Sequence, residues 1–151
     1  MTMKIEIREL REEDIEALAD IERESFSMPW SENAFRDLLR QPYCRYLVAL
    51  ADSLVAGCCG YTNLCNEANI DNVVVAERFR RRGIARAMLE KLFALGEAEG
   101  VEAYTLEVRV SNVAAIHFYE QCGFCPEGIR PGFYDRPKED ALIMWKRKKM
   151  Y

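Results

Sequence analysis

The stretch "RFRRRGIARAM", residues 78–88, carries five arginines and one glycine in a chain whose formal net charge is −4. A run of β-forming residues precedes it at 70–75, which indicates a strand. Apolar residues recur at helical spacing after it and predict a helix from Gly83 to about Ala98. The stretch is therefore the turn of a strand–turn–helix unit, which is typical of α/β domains.

A turn of this composition is suited to phosphate. The first amides of a helix have no partner inside the helix and lie at the positive end of its dipole. Gly83 allows a positive φ or a close approach of a ligand to the backbone, and Ala85 is nearly as small. Positive charge comes from Arg80, Arg81, Arg82 and Arg86. The Walker and dinucleotide-binding glycine motifs are absent, so two interpretations remain open: a pyrophosphate site and a solvated basic helix start.

The composition is that of one soluble globular domain, which we place at residues 1–151. Half of the residues are hydrophobic and 30% are charged, a balance that argues against a disordered chain. No apolar run approaches the roughly 20 residues of a membrane span, and the N-terminus lacks the apolar core of a signal peptide. We therefore expect a cytoplasmic protein that has no membrane partner.

The charge distribution bears on nucleic-acid binding. The acidic balance disfavours a nucleic-acid partner, because such proteins carry an excess of positive charge. The arginine-rich turn and the tail Lys146-Arg147-Lys148-Lys149 are basic segments that keep this function open. We expect no nucleic acid among the partners.

Six cysteines are present, and without a secretion signal we expect reduced thiols. Cys122 and Cys125 form one CxxC pair, but no second pair lies at zinc-ribbon spacing and His117 is the only histidine. We therefore predict no metal site and interpret the cysteines as buried structural residues.

Periodicity and turn residues predict elements in the order β-α-α-β-β-β-α-β-α-β-β. Strands are predicted at 4–8, 45–51, 54–65, 68–76, 103–110, 124–130 and 140–146. Helices are predicted at 11–24, 83–98 and 112–121, with a further one capped by Ser31 and ended by Pro42. The fold class is α/β, with a mixed sheet of about seven strands and about four flanking helices, antiparallel at first and with at least one right-handed crossover.

The second informative stretch is "TLEVRVSNVAAIHFYEQCGF", residues 105–124. Strand alternation directs Glu107 to a face where a carboxylate requires a partner or a function. One stripe of the helix that follows is formed by Asn112, Ala115 and Tyr119. A carboxylate and a phenol that share a cleft can take and give a proton. Two alternatives remain open: a pair between Glu107 and Arg109 at a sheet edge, and a Tyr119 packed by its ring with its hydroxyl at the surface.

Together the two stretches resemble the GNAT family of N-acetyltransferases. That family's acetyl-CoA loop follows the pattern Q/R-x-x-G-x-G/A, and residues 80–85, RRRGIA, fit it. The second stretch resembles the RimI-like branch, whose members acetylate the N-terminal alanine of a ribosomal protein, and the broader protein N-terminal acetyltransferases. The resemblance covers nearly the whole chain. Arg80, where many members have glutamine, and Ala85 in place of glycine are departures that the family tolerates.

The resemblance implies a role for each matching residue. Glu107 is implied as general base and Tyr119 as general acid towards the departing thiolate. Acetyl-CoA is implied as the donor, with Asn112 and Ala115 beside its pantetheine arm. Its acetyl and pantetheine groups would be aligned by the backbone of Val73, Val74 and Val75. Its pyrophosphate would be bound at Arg80, Arg81, Arg82, Gly83, Ile84, Ala85 and Arg86.

The acceptor side is placed by the same resemblance. Residues 27–31, SMPWS, lie where the family binds the acceptor peptide. Pro29 and Trp30 are candidates for an apolar wall around a small first side chain, and a buried loop aromatic is the alternative. Tyr134 is the candidate that holds the peptide backbone. Acidic residues that would attract a basic acceptor tail are Asp135, Glu139 and Asp140.

We therefore expect an acetyl-CoA-dependent N-acetyltransferase whose partner is a protein N-terminus, and specifically the N-terminal alanine of a ribosomal protein. Near neutral pH about a tenth of α-amines are uncharged, against fewer than about one lysine in a thousand, so a carboxylate base suits an α-amine better. An acetyltransferase for lysine or small amines is one alternative. A non-catalytic acyl-CoA-binding module, which would bind CoA without transfer, is the other.

Overall fold

The computed structural model describes residues 2–148. Its strands are β1 (Ile5–Glu9), β2 (Cys44–Ala51), β3 (Leu54–Leu64), β4 (Glu67–Val75), β5 (Ala103–Arg109), β6 (Cys125–Tyr134) and β7 (Glu139–Arg147). Its α-helices are α1 (Ile15–Ser25), α2 (Glu32–Arg40), α3 (Ile84–Ala98) and α4 (Val113–Gln121). The predicted fold class and element order are confirmed. The predicted domain limits, 1–151, and Lys149 of the basic tail extend beyond the described residues.

All seven strands belong to one mixed sheet in the order β1-β2-β3-β4-β5-β7-β6. The first four form an antiparallel meander, and β5, β7 and β6 are also antiparallel neighbours. β4 and β5 are parallel and are joined by the crossover through α3. The arginine-rich turn therefore belongs to the connection between the two parallel strands and follows the C-terminal end of β4, and α/β sheets commonly bind ligands at the C-terminal ends of their strands.

Aromatic packing shows that helices cover both faces of the sheet. On one face the Tyr46 ring lies over Gly60, where a Cβ would approach the ring to 2.2 Å, and Trp30 packs beside it with centroids 6.0 Å apart. On the other face Tyr104 packs against Phe93 of α3 at 4.8 Å. The central strands are buried from both sides, which explains their nearly continuous apolar sequence.

β4 and β5 separate soon after they begin to pair. Their parallel register runs only from Glu67↔Ala103 to Asn69↔Thr105, although both strands continue for several residues. On β4 a bulge leaves Asp71 without a partner residue on β3, and a bulge bends the strand that contains it. A gap therefore opens between the C-terminal halves of the two strands.

Capping residues mark the helix ends, as predicted for Ser31. Ser31 Oγ accepts a hydrogen bond from Ala34 N at 3.1 Å, and Asn112 Oδ1 accepts one from Ala115 N at 3.2 Å. Gly100 follows α3 with φ of 84°, the left-handed conformation that ends helices.

The prediction that the cysteines are buried is wrong at two positions. Residues in the core are Cys44, Cys58 and Cys59, whereas Cys122 is half-buried. Cys65 is exposed because it lies in the turn between β3 and β4. Cys125 is exposed because β6 is an edge strand whose residues are open to solvent. All six are free thiols, as expected.

Lys146 and Arg147 of the basic tail belong to β7. Lys146 Nζ donates to the carbonyl of Cys122 at 2.9 Å. Arg147 pairs with Glu127 and stacks on Trp145 at 4.4 Å. These two cations therefore have partners within the fold.

Residues 2–148 include no long apolar helix and no cluster of metal-ligating side chains. None of their helices is both long and apolar enough to cross a membrane. They also bring together no group of three histidine, cysteine, aspartate or glutamate side chains that could hold a metal ion.

Candidate active site

The gap between β4 and β5 is a cleft of about 560 Å³. Its walls come from both strands, the start of α4, the end of α1 with the segment after it, and the β6–β7 loop. The predicted site residues that line it are Trp30, Val73, Glu107, Asn112, Ala115, Tyr119 and Tyr134. The carboxylate and the phenol of the second sequence motif therefore share one cleft.

Glu107 presents a carboxylate that is largely free for a ligand. Its side chain is 19% exposed, and its ion-pair partner is Arg130, 3.6 Å away on a side chain that is 53% exposed. So long a contact to an exposed guanidinium is weak. Arg109 pairs with Glu139 instead, and β5 is an interior strand. The alternative of a Glu107–Arg109 pair at a sheet edge is therefore excluded.

Tyr119 presents a protonated phenol. Its ring packs against Phe118 and Phe124, with centroids 5.4 and 5.8 Å apart. Burial is the main cause that raises the pKa of Tyr119 well above its ordinary value. Its hydroxyl makes no hydrogen bond with any of residues 2–148, although the side chain lines the cleft. The hydroxyl is therefore available to donate a proton to a ligand.

Asn112 and Ala115 form the α4 side of the cleft. The Asn112 carbonyl oxygen is engaged as the helix cap, and no described residue bonds its amide NH₂. Ala115 contributes only a methyl group to this wall. His117 is exposed on the same helix and lies outside the cleft.

The open edge of β4 offers backbone groups to a ligand. Ala76 N donates to Ala56 O across the β3–β4 pair, so strand alternation directs Val75 and Val73 backbone groups away from β3. Val74 differs, because its backbone groups face β3 and its side chain is buried in the core. The proposal of backbone contacts to acetyl-CoA is thus restricted to Val73 and Val75.

The turn before α3 has the properties of an anion site. Gly83 has φ of 75° and Arg81 has φ of 64°. Gly83 is the N-cap and provides no capping side chain. Within residues 2–148, the amides of 81–86 donate no hydrogen bond. A run of free amides at a helix start, with arginines around it, fits a pyrophosphate group.

The arginines of this turn divide into two groups. Arg80 is held within the fold, because its Nε donates to Val75 O at 2.9 Å and its Nη2 to Ser25 Oγ at 3.1 Å. Arg86 pairs with Glu90 one helical turn away. Arg81 and Arg82 are exposed and have no partner among the described residues. We therefore propose Arg81 and Arg82 as the phosphate ligands, with Arg80 as a brace of the turn.

Replacing Gly83 by alanine is expected to weaken acetyl-CoA binding about tenfold, because a residue with a Cβ disfavours the left-handed conformation by about 1 kcal/mol and the amides reorient. Isothermal titration with acetyl-CoA measures the effect. Gly100→Ala is the matched control, since Gly100 has φ of 84° at the other end of the same helix. Equal affinities in the two variants would contradict the assignment.

The candidate acceptor residues are only partly brought together. Trp30 and Tyr134 both line the cleft. Pro29 lies outside it, in a neighbouring depression with Met28, Asp135 and Arg136. The apolar wall that we propose therefore consists of Trp30, which packs on Phe35 and Tyr46.

Arg109 organises the β6–β7 loop that carries Tyr134. Its guanidinium donates to the carbonyls of Asp135 and Pro137, both at 2.9 Å, and pairs with Glu139 at 3.1 Å. It also stacks on the Tyr134 ring at 4.5 Å. One planar group thus fixes the loop that forms one wall of the cleft.

The acidic residues of this loop are less available than expected. Glu139 accepts from Ser111 N and Arg109, contacts that hold the pKa of Glu139 below its ordinary value. Asp140 accepts from Gly132 N at 2.9 Å. Asp135 alone of the three has no side-chain partner among the described residues. The proposed attraction for a basic acceptor is therefore restricted to Asp135.

Replacing Arg109 by lysine is expected to raise the KM for the acceptor about tenfold and to leave acetyl-CoA affinity unchanged, because one ammonium group cannot reproduce the fork that fixes the loop. Steady-state kinetics with a varied acceptor peptide test this. Arg45→Lys is the control, since Arg45 also bonds a carboxylate and two backbone carbonyls but lies away from the cleft. A similar KM change in both variants would refute the role.

Several cleft residues escaped sequence reasoning. Glu22, Asp71 and Asn72 line the cleft. The sequence does contain a signal that Glu22 is buried, because it lies next to Ile21 on the apolar stripe of the first helix. Asp71 gave no signal, since its position depends on a bulge that arises only when β3 and β4 pair.

Comparison with known proteins identifies the family of this chain. Residues 15–124 match the model of the acetyltransferase (GNAT) family. A Bacillus subtilis protein, named provisionally as a ribosomal protein bS18-alanine N-acetyltransferase, is 36% identical over 146 residues, which are 96% of this chain and 97% of that protein. The Escherichia coli K12 ribosomal protein bS18-alanine N-acetyltransferase is 35% identical over 140 residues, which are 91% of this chain and 94% of that protein.

A solved structure extends the comparison to the fold. The crystal structure of the ribosomal-protein-S18-alanine N-acetyltransferase from Escherichia coli superposes with a TM-score of 0.89 at 32% identity. The match covers 98% of this chain and 96% of that chain, so no element of the fold is left out of the comparison. This chain belongs to the GNAT family of acetyltransferases.

Proposed function

We propose that this protein transfers the acetyl group of acetyl-CoA to the N-terminal α-amine of a protein, and that the acceptor is the N-terminal alanine of a ribosomal protein of the bS18 type. The observation that carries the proposal is the placement of Glu107 and Tyr119 in one cleft, beside Trp30 and Tyr134. A cytoplasmic location is part of the proposal, because ribosomal proteins are made there.

The residues present fit acetyl-CoA as the donor. Free amides at 81–86 and the exposed Arg81 and Arg82 suit its pyrophosphate. The open β4 edge offers the Val73 and Val75 backbone to its acyl arm. Bound acetyl-CoA supplies an acetyl group activated as a thioester, so the enzyme needs no nucleophile of its own.

Glu107 accepts the proton that an ammonium group must lose before it can act as a nucleophile. The carboxylate lines the cleft, and among residues 2–148 its only partner is the exposed Arg130 at 3.6 Å, so it is available to the acceptor. An α-amine has a pKa of about 7.7–8.0 and a lysine about 10.4. A carboxylate therefore deprotonates an α-amine with a much smaller uphill step, which favours an N-terminal acceptor.

Tyr119 holds a proton at its hydroxyl oxygen for the thiolate that departs. Burial raises the pKa of Tyr119, so the hydroxyl stays protonated at neutral pH. Because the hydroxyl has no partner among the described residues, no internal hydrogen bond must break before the proton moves. Glu107 and Tyr119 thus divide the work of base and acid between two side chains of one cleft.

A pair of synthetic peptides tests the proposal. One has a free N-terminal alanine and no lysine, and the other is blocked at its N-terminus and contains lysines. The purified protein is incubated with acetyl-CoA and both peptides, and the products are identified by mass spectrometry. We expect acetylation of the first peptide. Acetylation of the lysine peptide alone would establish a lysine acceptor, and silence on both would leave an acetyltransferase for small amines or the acyl-CoA-binding module.

A further inference from the structure

Glu22 is a buried carboxylate that the proposed chemistry does not use. It lies near the end of α1 and is 1% exposed. No cation pairs with it among residues 2–148, which is unusual because isolated buried charges are costly. Its side chain lines the cleft. A charge kept under these conditions requires hydrogen-bond donors, and the fold provides two.

The two oxygens of Glu22 join separate parts of the cleft. Oε1 accepts from the backbone N of Trp30 at 3.0 Å, and Oε2 accepts from Asn72 Nδ2 at 2.8 Å. Trp30 belongs to the segment between α1 and α2, whereas Asn72 belongs to β4. One carboxylate therefore connects the candidate acceptor wall to the central sheet.

The segment that carries Trp30 has little other support. Among the described residues, 27–30 make no other hydrogen bond than the one from Trp30 N to Glu22. The ring contacts of Trp30 with Phe35 and Tyr46 orient the indole. The backbone of this segment thus depends on Glu22 for its position relative to β4.

We propose that Glu22 is a positioning residue that fixes the Trp30 segment against β4 and so determines acceptor recognition. The inference rests on the proposed function, since it takes Trp30 as part of the acceptor wall. Glu22 does not act on the reacting atoms. Donor binding is held by other contacts, namely the free amides at 81–86 and the Arg80 brace on Val75 O.

Alanine and glutamine at position 22 are expected to differ in their effect on the KM for the acceptor. Glu22→Ala removes both acceptors, and we expect the acceptor KM to rise about tenfold or more while the acetyl-CoA Kd stays within about twofold. Glu22→Gln keeps one oxygen for Trp30 N, and the Asn72 amide can rotate so that its oxygen accepts from the new NH₂. We therefore expect Glu22→Gln to retain most of the acceptor affinity.

A paired exchange tests the contact itself. Asn72→Asp places two carboxylates together and should raise the acceptor KM. Adding Glu22→Gln to it restores one donor and one acceptor across the same contact, so the double variant should recover most of the loss. Failure of the double variant to recover would overturn the proposal. The single variant Asn72→Asp and the double variant also test the proposal if Glu22→Ala does not fold.

Asp14 provides the matched control. Its carboxylate is also buried, 2% exposed, and lies just before α1. It accepts hydrogen bonds from the Arg8 guanidinium and from Arg11 N, and these residues are far from Trp30 in the sequence. Asp14→Ala should lower the melting temperature as Glu22→Ala does, without changing the acceptor KM. If both variants change KM equally, Glu22 has only a general structural role.

A readout independent of the acceptor separates this inference from the proposed function. Hydrogen exchange of the Trp30 amide, which donates to Glu22, should become faster in Glu22→Ala and remain slow in Glu22→Gln and Asp14→Ala. Kinetics are measured on whichever peptide the wild-type protein acetylates. Unchanged exchange in Glu22→Ala overturns the inference whatever the acceptor is, whereas a lysine acceptor overturns the proposed function alone.

Discussion

Glutamine at position 107 is expected to lower kcat/KM for a peptide with a free N-terminal alanine by about 10²–10⁴-fold at neutral pH, the range that positioned general bases contribute. Glutamine keeps the size and polarity of glutamate but cannot take a proton. Acetyl-CoA affinity should not change, because no donor contact is assigned to this carboxylate.

The pH dependence of the deficit in kcat/KM tests whether Glu107 acts as a base. Above the pKa of the acceptor, about 7.7–8.0, the α-amine is already neutral and needs no base. The deficit of Glu107→Gln should therefore shrink as pH rises through that range. Glu127→Gln, on the exposed strand β6, is the control and should behave as wild type. A deficit that is constant from pH 6 to 9 would mean that Glu107 does not act as the base.

Phenylalanine at position 119 is expected to lower kcat by about 10²–10³-fold with little change in either KM, as for loss of a positioned acid. The fold should tolerate it, because the Tyr119 hydroxyl bonds no described residue and the ring contacts with Phe118 and Phe124 remain. Steady-state kinetics together with thermal unfolding separate the two effects.

Tyr104→Phe is the matched control for this substitution. Burial raises the pKa of Tyr104 to about 12, and its hydroxyl donates to Phe93 O at 3.3 Å on the α3 side of the sheet. Its loss should destabilise the protein by about 1 kcal/mol and leave kcat unchanged. Wild-type kcat in Tyr119→Phe would show that another group protonates the thiolate.

The fold could be predicted almost completely from the sequence, because local signals agree at every level. Alternating and continuous apolar runs identify the strands, and the cap Ser31 identifies the start of α2. The separation of β4 from β5 could not be predicted. It depends on the bulge at Asp71 and on a parallel register of only a few residues, which form when distant strands pair.

The candidate site could be predicted where one short motif contains its residues. Glu107 and Tyr119 lie on a strand and on the helix that directly follows it, so spacing alone brings them to one cleft. Connections between distant segments were missed. The sequence motif includes Arg80 among the predicted phosphate ligands, whereas in the structure its guanidinium donates to Val75 O and Ser25 Oγ, contacts that the sequence does not indicate. Pro29 is a predicted part of the acceptor wall but lies outside the cleft, in the neighbouring depression.

Acetyl transfer to a ribosomal protein of the bS18 type with a free N-terminal alanine tests the central claim most directly. Wild-type protein, Glu107→Gln and Tyr119→Phe are each incubated with acetyl-CoA and this acceptor, and the modified peptide is located by mass spectrometry after digestion. We predict an acetyl group on the N-terminal peptide alone with the wild type, and strongly reduced transfer with both variants. Acetylated lysines beside an unmodified N-terminus, or full transfer by both variants, would contradict it.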